Sequence, residues 1–440
     1  MKRREFAQSL AAAAAAAAIP GARASATSPR RAPGVNGGRL NGWLTAIGEF
    51  GKNPQGGVTR LAYSDADIAA RAYTVQLMRD AGLDVTVDAA GNVFGKRAGT
   101  DAAATPVIFG SHVDSVPEGG NYDGNVGTLA AIEVVRTFGE LGVTTTHPLW
   151  VVCWQNEEGG TWGSQLVTAE TTAADLATVA RSGKSIADGI RFIGGDPARL
   201  SGARLRKGDV HGYLELHIEQ GGNLDRDRRD IGIVEGIVGL REWDVTIDGF
   251  ANHAGTTPMN ERHDAMLAAA RFTEMVNRIV TSEPGRQVGT VGRLQAFPGA
   301  PNVVPGKVAC TLELRDLDDR KIQRLYDTIV AESRKIGERN GTTFAFHEFV
   351  THESAPCDAR VRALIGASAR SRGFSTMSLP SGAGHDAQNM ARVCPMGMIF
   401  IPSVGGISHS PREFSRPGDI TNGANVLLGT VLALDAATFR

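Results

Sequence analysis

The chain has 440 residues, 46 Lys and Arg against 47 Asp and Glu, and 42% hydrophobic residues. At roughly 100–200 residues per domain, that length makes two or three domains with ample core. A net charge of −1 provides no general field for drawing in nucleic acid or an anionic membrane. Four cysteines (Cys153, Cys310, Cys357, Cys394) without a CxxC pairing support neither a thiolate zinc site nor a disulfide scaffold. The 54 glycines alongside 6% aromatic residues point to many tight turns, and disorder, collagen and a membrane-spanning bundle are excluded.

Residues 1–26 read as an address. Lys2-Arg3-Arg4-Glu5-Phe6 precedes an apolar run from Leu10 through eight alanines to Ile19, and Ala24-Ser25-Ala26 follows as a small-residue cleavage site. A charged head, a short apolar middle and an A-x-A end make a secretory signal too short to span a bilayer. Arg3-Arg4-x-Phe6 resembles a twin-arginine signal, which implies periplasmic export of a protein already folded around its cofactor. The alternative is an uncleaved Ala-rich helix. Residues 27–38 then form a Ser/Arg/Pro-rich leader.

From there the elements follow in order. Leu40, Trp43, Leu44, Ile47 and Phe50 recur at helical spacing. Ser64 and Asp67 form a capping-box-like start to a helix running to about Ala81. Short apolar runs at Val85–Val87, Val93–Phe94 and Val107–Phe109 precede a helix over about Gly127–Phe138 and the run Leu149–Trp154. Strands alternating with helices predict a largely parallel α/β sheet, where sites collect beyond the carboxyl ends of the strands. Between 241 and 353 the pattern changes to strand, helix, two strands, helix, strand, with alternating runs at Trp243–Asp248 and Lys307–Arg315. That order predicts a ferredoxin-like α+β insert. Val361–Ser371 reads as a helix, Met398–Ile401 as a strand and Gly423–Ala437 as a closing helix. The organisation is thus an α/β domain over 39–240 and 354–440, interrupted by 241–353.

Several residues suit metal ligation. His112 follows a strand and has Asp114 two residues on, where a carboxylate can accept the second imidazole N–H. Asp123 lies in a glycine-rich loop, Glu157-Glu158 ends the Trp150–Trp154 strand, and His217 and His409 stand in polar stretches read as turns. Singly these signals are weak, since an isolated H-x-D or Glu-Glu pair is usually structural or solvated. Together they offer oxygen and nitrogen donors for two borderline divalent cations, with a carboxylate such as Asp123 able to bridge them.

Eight ordered motifs extend this: Gly110-Ser-His-Val-Asp-Ser-Val-Pro, Gly119-Gly-Asn-Tyr-Asp-Gly, Glu157-Glu-Gly, His217-Ile-Glu-Gln-Gly, Ala251-Asn-His-Ala-Gly-Thr-Thr-Pro-Met, Asn302-Val-Val-Pro, Ser381-Gly-Ala-Gly-His-Asp-Ala and Gly406-Ile-Ser-His-Ser-Pro. From about Gly38 to the C-terminus the chain strongly resembles the amidase/hydantoinase/carbamoylase family of aminoacylase-like metallopeptidases. That family includes N-carbamoyl-L-amino acid hydrolases, β-ureidopropionases and allantoate amidohydrolases. One stretch departs from it: Gly160-Thr-Trp-Gly-Ser164 stands where the family usually continues with an Arg-Phe pair.

The resemblance implies a di-metal aminopeptidase-like catalytic domain with an inserted lid that also serves dimerisation. It implies two divalent ions per subunit, zinc first, with manganese, cobalt or nickel as alternatives. His112, Asp123 and His217 would hold one ion; Asp123, Glu158 and His409 the other. Glu157 would be the general base, able to take a proton from water and return it to the leaving nitrogen. His253 would stabilise the oxyanion, with capping of its own turn as the alternative. Gln220, Asn302 and Arg315 would read a substrate carboxylate, for which a guanidinium fork is well suited, while a solvated strand arginine is the alternative. Asp114, His385 and Asp386 would support the ligands from behind. Domain closure would bring the insert's residues to the metals, and family members generally pair through the insert. The implied activity is hydrolysis of N-carbamoyl-L-amino acids, with allantoate amidohydrolase, dipeptidase or aminoacylase as neighbouring alternatives. A periplasmic binding protein without turnover would not need the unligated Glu157.

Overall fold

The computed structural model describes residues 33–439, so the expected export signal at 1–26 and the first half of the expected 27–38 leader lie outside the described residues. No helix among the described residues is long and apolar enough to cross a membrane. The chain forms two compact units: one takes the residues up to Gly236 and from Cys357 onward, the other is Ile237–Pro356. The second unit therefore begins four residues before the expected 241 and ends three after 353.

In the first unit, the Gly37–Ile47 helix begins inside the expected leader, capped by the Asn36 side chain, which accepts from the Arg39 amide. Ser64 caps the Asp65–Asp80 helix by accepting from the Asp67 amide. The Asp67 carboxylate accepts from the Tyr63 amide at 2.8 Å, so only half of the expected capping box is built. The strands that follow are β1 (Asp84–Val87), β2 (Val93–Arg97), β3 (Val107–His112), β4 (Leu149–Trp154), β5 (Gly212–Ile218) and β6 (Ile231–Ile237). The helix after β3 is Asn125–Glu140.

The second unit contributes β7 (Gly239–Asp248), β8 (Asn252–His253), β9 (Val288–Thr290), β10 (Leu294–Phe297), β11 (Val303–Val304), β12 (Lys307–Asp316), β13 (Thr343–His352) and β14 (Ala355–Pro356). Its main helices are Ala265–Ser282 and Asp319–Asn340. The chain then returns to the first unit with the Ala359–Ser371 helix, β15 (Thr376–Ser381), the Asp386–Met390 turn of helix, β16 (Met396–Ile401) and the Pro417–Ala436 helix.

In the first unit the strand order runs β1-β2-β4-β3-β5-β16-β6, with β15 also on β6. The central four strands β4, β3, β5 and β16 are mutually parallel, as expected. The edges differ: β2 is antiparallel to β4 and to β1, and β6 is antiparallel to β16. Helices cover the central strands, which explains their continuous apolar runs. Val107, Phe109, Val151, Leu214, Leu216, Ile399 and Ile401 are buried together with Leu129, Val134, Val426, Leu427 and Val431 of the helices. Each such side chain contributes about 1.5–3 kcal/mol of burial, which makes this layer a rigid base for the loops it carries.

The second unit has strand order β10-β12-β7-β13, antiparallel throughout, with β9 added on β12. This is the ferredoxin-like arrangement the pattern predicts. Trp243, Val245 and Ile247 of β7 and Val308, Cys310, Leu312 and Leu314 of β12 bury one face against Phe272, Val276, Leu325 and Ile329 of the helices. The alternate positions, including Glu242, Glu313 and Arg315, belong to the opposite face.

Candidate metal centre

The central parallel strands end together. His112, the last residue of β3, pairs in register with Trp154, the last of β4, and His217 of β5 pairs with Phe400 of β16. The loops that carry Asp123, Glu157-Glu158 and His409 therefore leave from the same edge of the sheet, the carboxyl edge where α/β proteins place their sites. His217 is not in a turn, as its polar neighbours suggested. It lies within β5 and is buried, because that strand is enclosed by β3 and β16. Asp123 immediately precedes Gly124, the N-cap of the Asn125–Glu140 helix. Only glycine serves there: φ is 64° and a Cβ would come within 2.4 Å of the His112 ring.

Asp123 is the hub. Its Oδ1 stands 3.0 Å from His217 Nε2 and 3.5 Å from His112 Nε2. Its Oδ2 stands 3.3 Å from His409 Nε2, which in turn is 3.6 Å from Glu158 Oε2. The donor atoms thus form two groups, His112–Asp123–His217 and Asp123–Glu158–His409, with the atoms of each within 4.8 Å of one another. These are the two ligand sets that the family resemblance implies.

The tautomers are set from behind. His112 Nδ1 lies 3.0 Å from the Asp114 carbonyl and His217 Nδ1 2.9 Å from the Ile218 carbonyl. A carbonyl only accepts, so Nδ1 carries the proton and Nε2 faces Asp123. Burial opposes charging His112, but Glu157, Asp123 and Asp114 outweigh it and hold its pKa well above the usual imidazole range. His217 is raised in the same way by Asp123 and then Glu215. His409, hydrogen-bonded to Asp123, is pushed up to about 9. Asp123 is driven well below the carboxylate range: its burial is overcome by His217, His112 and His409. The Nε2 atoms that face Asp123 are the nitrogens a divalent cation would take, and His217 Nε2 already accepts from the Gly124 amide at 3.2 Å.

The donor set fits such cations. It is all nitrogen and oxygen, suited to borderline divalent metals, and none of the four buried cysteines joins it. His112 Nε2 and Glu158 Oε1 are buried without a hydrogen-bond partner, which is costly unless something else satisfies them. A third cluster, Glu215–His217–His385, is different. Glu215 already accepts from the Ser111 and Tyr213 hydroxyls at 2.8 and 2.9 Å and from the Ala387 amide at 3.2 Å, so it anchors a hydrogen-bond network.

Asp114 does something the sequence did not suggest. Its backbone carbonyl, not its carboxylate, accepts from His112. The carboxylate takes the amides of Glu157 (3.2 Å) and Glu158 (3.1 Å), fixing where both glutamates begin. Glu157 Oε2 then lies 3.6 Å from His112 Nε2, and Glu157 belongs to neither donor group. Burial first, then Asp386, Glu158 and Asp123, push its pKa well up. Glu158 is raised to about 7 by burial and by Asp123.

Backbone strain marks the same place. Asn156, Thr161, Gln220 and His409 all have φ between 50° and 57°, a region that non-glycine residues enter at a cost and that clusters at functional sites. Gln220 Nε2 donates to Asp123 Oδ2 at 2.7 Å and stands 3.4 Å from His409 Nε2. Here the amide engages the second donor group itself. The divergent Gly160–Ser164 stretch is tied down: Asn389 Nδ2 donates to Thr161 Oγ1 and Ser164 Oγ at 2.9 Å, and Ser164 Oγ donates to Asp386 at 2.5 Å. His385 packs its ring edge on His217 at 4.6 Å and pairs its Nε2 with Ser381 Oγ at 2.8 Å. Sequence reasoning missed Glu413, buried and hydrogen-bonded to both the Asp123 and His409 loops. Its one sequence signal is its position four residues after His409.

His253, Asn302 and Arg315 belong to the second unit. β8 and β11 form a two-stranded ribbon with His253 opposite Val303, and the Asn302 carbonyl accepts from the Ala254 amide at 2.9 Å. His253 Nδ1 accepts from the amides of Gly255 (3.0 Å) and Thr256 (3.2 Å). The ring does cap its own turn, and the cap leaves Nε2–H as the exposed donor, the tautomer an oxyanion requires. Arg315 already holds a carboxylate: Nε and Nη2 donate to the two Glu313 oxygens at 2.8 and 3.1 Å. His147 and His211 stack at 3.8 Å with backbone carbonyl partners, in keeping with a structural role.

Residues 108–433 match the model for peptidase family M20/M25/M40. The chain is 40% identical over 405 residues to an N-carbamoyl-L-amino acid amidohydrolase of Geobacillus stearothermophilus, covering 91% of this chain and 99% of that one. It is 33% identical to an allantoate amidohydrolase of Bacillus subtilis, covering 88% and 95%. Among solved structures, an amidase of the hydantoinase/carbamoylase family from Burkholderia multivorans superposes with a TM-score of 0.85 at 36% identity, covering 92% of this chain and 100% of that one. With the family model spanning most of its length and these relatives aligned nearly end to end, the chain belongs to peptidase family M20/M25/M40, among its metal-dependent amidohydrolases.

Proposed function

We propose that this chain hydrolyses the C–N bond of linear N-carbamoyl acids, N-carbamoyl-L-amino acids above others, with a divalent cation at each of its two donor groups. The products are the amino acid, ammonia and carbon dioxide, since the carbamic acid released with the amine falls apart. The observation that carries the reading is Glu157: a buried carboxylate beside His112 that neither donor group needs. A protein that only bound ligand or stored metal would have no use for it. The likeness to the Geobacillus amidohydrolase supports the substrate class, and the likeness to the Bacillus enzyme supports allantoate as the second reading.

His112, Asp123 and His217 would hold one cation, and Asp123, Glu158 and His409 the other; bound there, they supply Lewis acidity toward a carbonyl and toward water. The remaining work falls to the chain. Glu157, its main chain held by Asp114, takes a proton from water and returns it to the departing nitrogen. His253 Nε2–H donates to the oxygen that gains charge. Arg315, Asn302 and Gln220 orient the substrate's carboxylate. A panel of N-carbamoyl-L-amino acids, allantoate and dipeptides, assayed before and after chelation, tests this. Turnover of N-carbamoyl acids that chelation abolishes and added metal restores is expected. Peptide cleavage alone, or activity indifferent to chelation, would overturn it.

The same reading sets a second copy of the chain against the inserted unit. Its edge strand β10 exposes Leu294 and Phe297, at 42% and 40%, and an open apolar edge is where another chain adds on. Sedimentation velocity should find a dimer that Leu294→Lys weakens, and a monomer at micromolar concentration would remove this part.

A further inference from the structure

The two segments that meet at the second donor group, Tyr122-Asp123 and Ser408-His409, are nearly three hundred residues apart, and Glu413 joins them. It is 5% exposed. Its Oε1 accepts from the amides of Tyr122 (2.9 Å) and Asp123 (3.1 Å). Its Oε2 accepts from the Ser408 hydroxyl (2.8 Å) and the His409 amide (3.3 Å). Ser408 Oγ also lies 3.1 Å from Asp123 Oδ2, so the hydroxyl stands between the two carboxylates. Room for this is made at Gly120, where a Cβ would meet Glu413 Oε1 at 2.1 Å.

Resting on the two-cation reading, we infer that Glu413 is the positioning residue that builds the second cation site, holding the Asp123 and His409 loops at ligand distance without itself being a ligand. The requirement is chemical. Four donors converge on one side chain, and only a carboxylate presents acceptors to all of them without a competing N–H. His409 needs such a hold: it is half-exposed and has a left-handed φ of 52°. A loop residue left to itself relaxes from that conformation. His112 and His217 are held by strands and do not depend on Glu413.

Glutamine separates the two ends of the side chain. Its carbonyl oxygen can keep Tyr122 and Asp123, whose two amides admit no other choice. Its NH2 then faces the His409 amide, donor against donor, while Ser408 can turn to accept. The site that loses is the one with His409. Calorimetric titration of the cation-free, full-length chain with Zn2+ is the test, with thermal melts of each variant alongside. Wild type should bind two ions. Glu413→Gln should keep the first affinity and weaken the second by about 10–100-fold, the usual size of an effect on an outer partner of a ligand. Glu413→Ala should weaken both, the second more. If either variant melts early, Ser408→Ala, which removes only the bridging hydroxyl, should show the same selective loss. Unchanged affinities in Glu413→Gln, or equal loss at both sites, overturn the inference while leaving the two-cation reading intact. Fewer than two ions in the wild type removes that reading, and the inference with it.

Discussion

Replacing Glu157 by glutamine is expected to lower kcat by about 10²–10⁴-fold, the usual contribution of a positioned proton-transfer group, while both cations still bind. The amide is nearly isosteric, and the Asp114 carboxylate still holds the main chain, because it grips the Glu157 amide rather than the side chain. What disappears is an acceptor for water's proton. Glu158→Gln should do the opposite. Its carboxylate lies 3.6 Å from His409 and keeps one buried oxygen without a partner, so the loss falls on cation affinity, and turnover recovers as metal is raised. The pH profile carries the same distinction. A base works only when deprotonated, so kcat falls as pH drops through the Glu157 pKa, and this limb should be missing in Glu157→Gln. Cation titration paired with single-turnover rates at saturating metal separates the cases. If both variants lost metal equally and neither showed a selective rate defect, the division of labour between the two glutamates would be wrong.

The layer architecture was legible because its signals are local and repeated. Continuous apolar runs give the central parallel strands, and alternation gives β7 and β12. Boundaries were less legible where one residue decides them. The closing helix starts at Pro417, six residues before the expected Gly423, because proline at the first helical position is compatible with a start that looks like a loop. In the site, all five ligand candidates were readable as residue types, but their grouping came from motif order, since nothing in spacing says that His409 meets Asp123. His217 looked like a turn because Glu219 and Gln220 follow it closely, and Glu215 before it is acidic as well. Each of those carboxylates is satisfied internally, Glu215 by Ser111 and Tyr213, Glu219 by the amides of Asn223 and Leu224. Asp114 was expected to accept from His112 through its carboxylate and does so through its carbonyl, because the choice between the two, two residues from an imidazole, is made by the turn. Glu413 left almost no trace, since its partners are mostly main-chain amides, which every residue has.

Amidating the substrate's carboxylate should cost about a hundredfold or more in kcat/KM if Arg315 is the group that reads it. The structure sharpens this expectation, because the guanidinium is already forked onto Glu313, and Glu242 stands opposite Glu313 on the neighbouring strand. Arg315 holds the Glu313 pKa down, while burial and Glu313 raise that of Glu242. Arg315→Ala therefore removes an attraction and also bares carboxylates that repel an incoming acid. Against the amide substrate that repulsion has nothing to act on. The variant should thus lose far more on the free acid than on the amide, and the two changes should not add, because both remove one interaction. Arg315→Lys should recover little, since a point charge can stay with Glu313 or meet the substrate but cannot fork onto a carboxylate. Glu313→Gln should move the other way, weakening the internal competitor and lowering KM for the acid. Measuring kcat/KM for acid and amide across these variants completes the cycle. An Arg315→Ala enzyme that hydrolysed both at wild-type rates would make the Glu313 pair a strand-stabilising contact and leave the carboxylate to be read elsewhere.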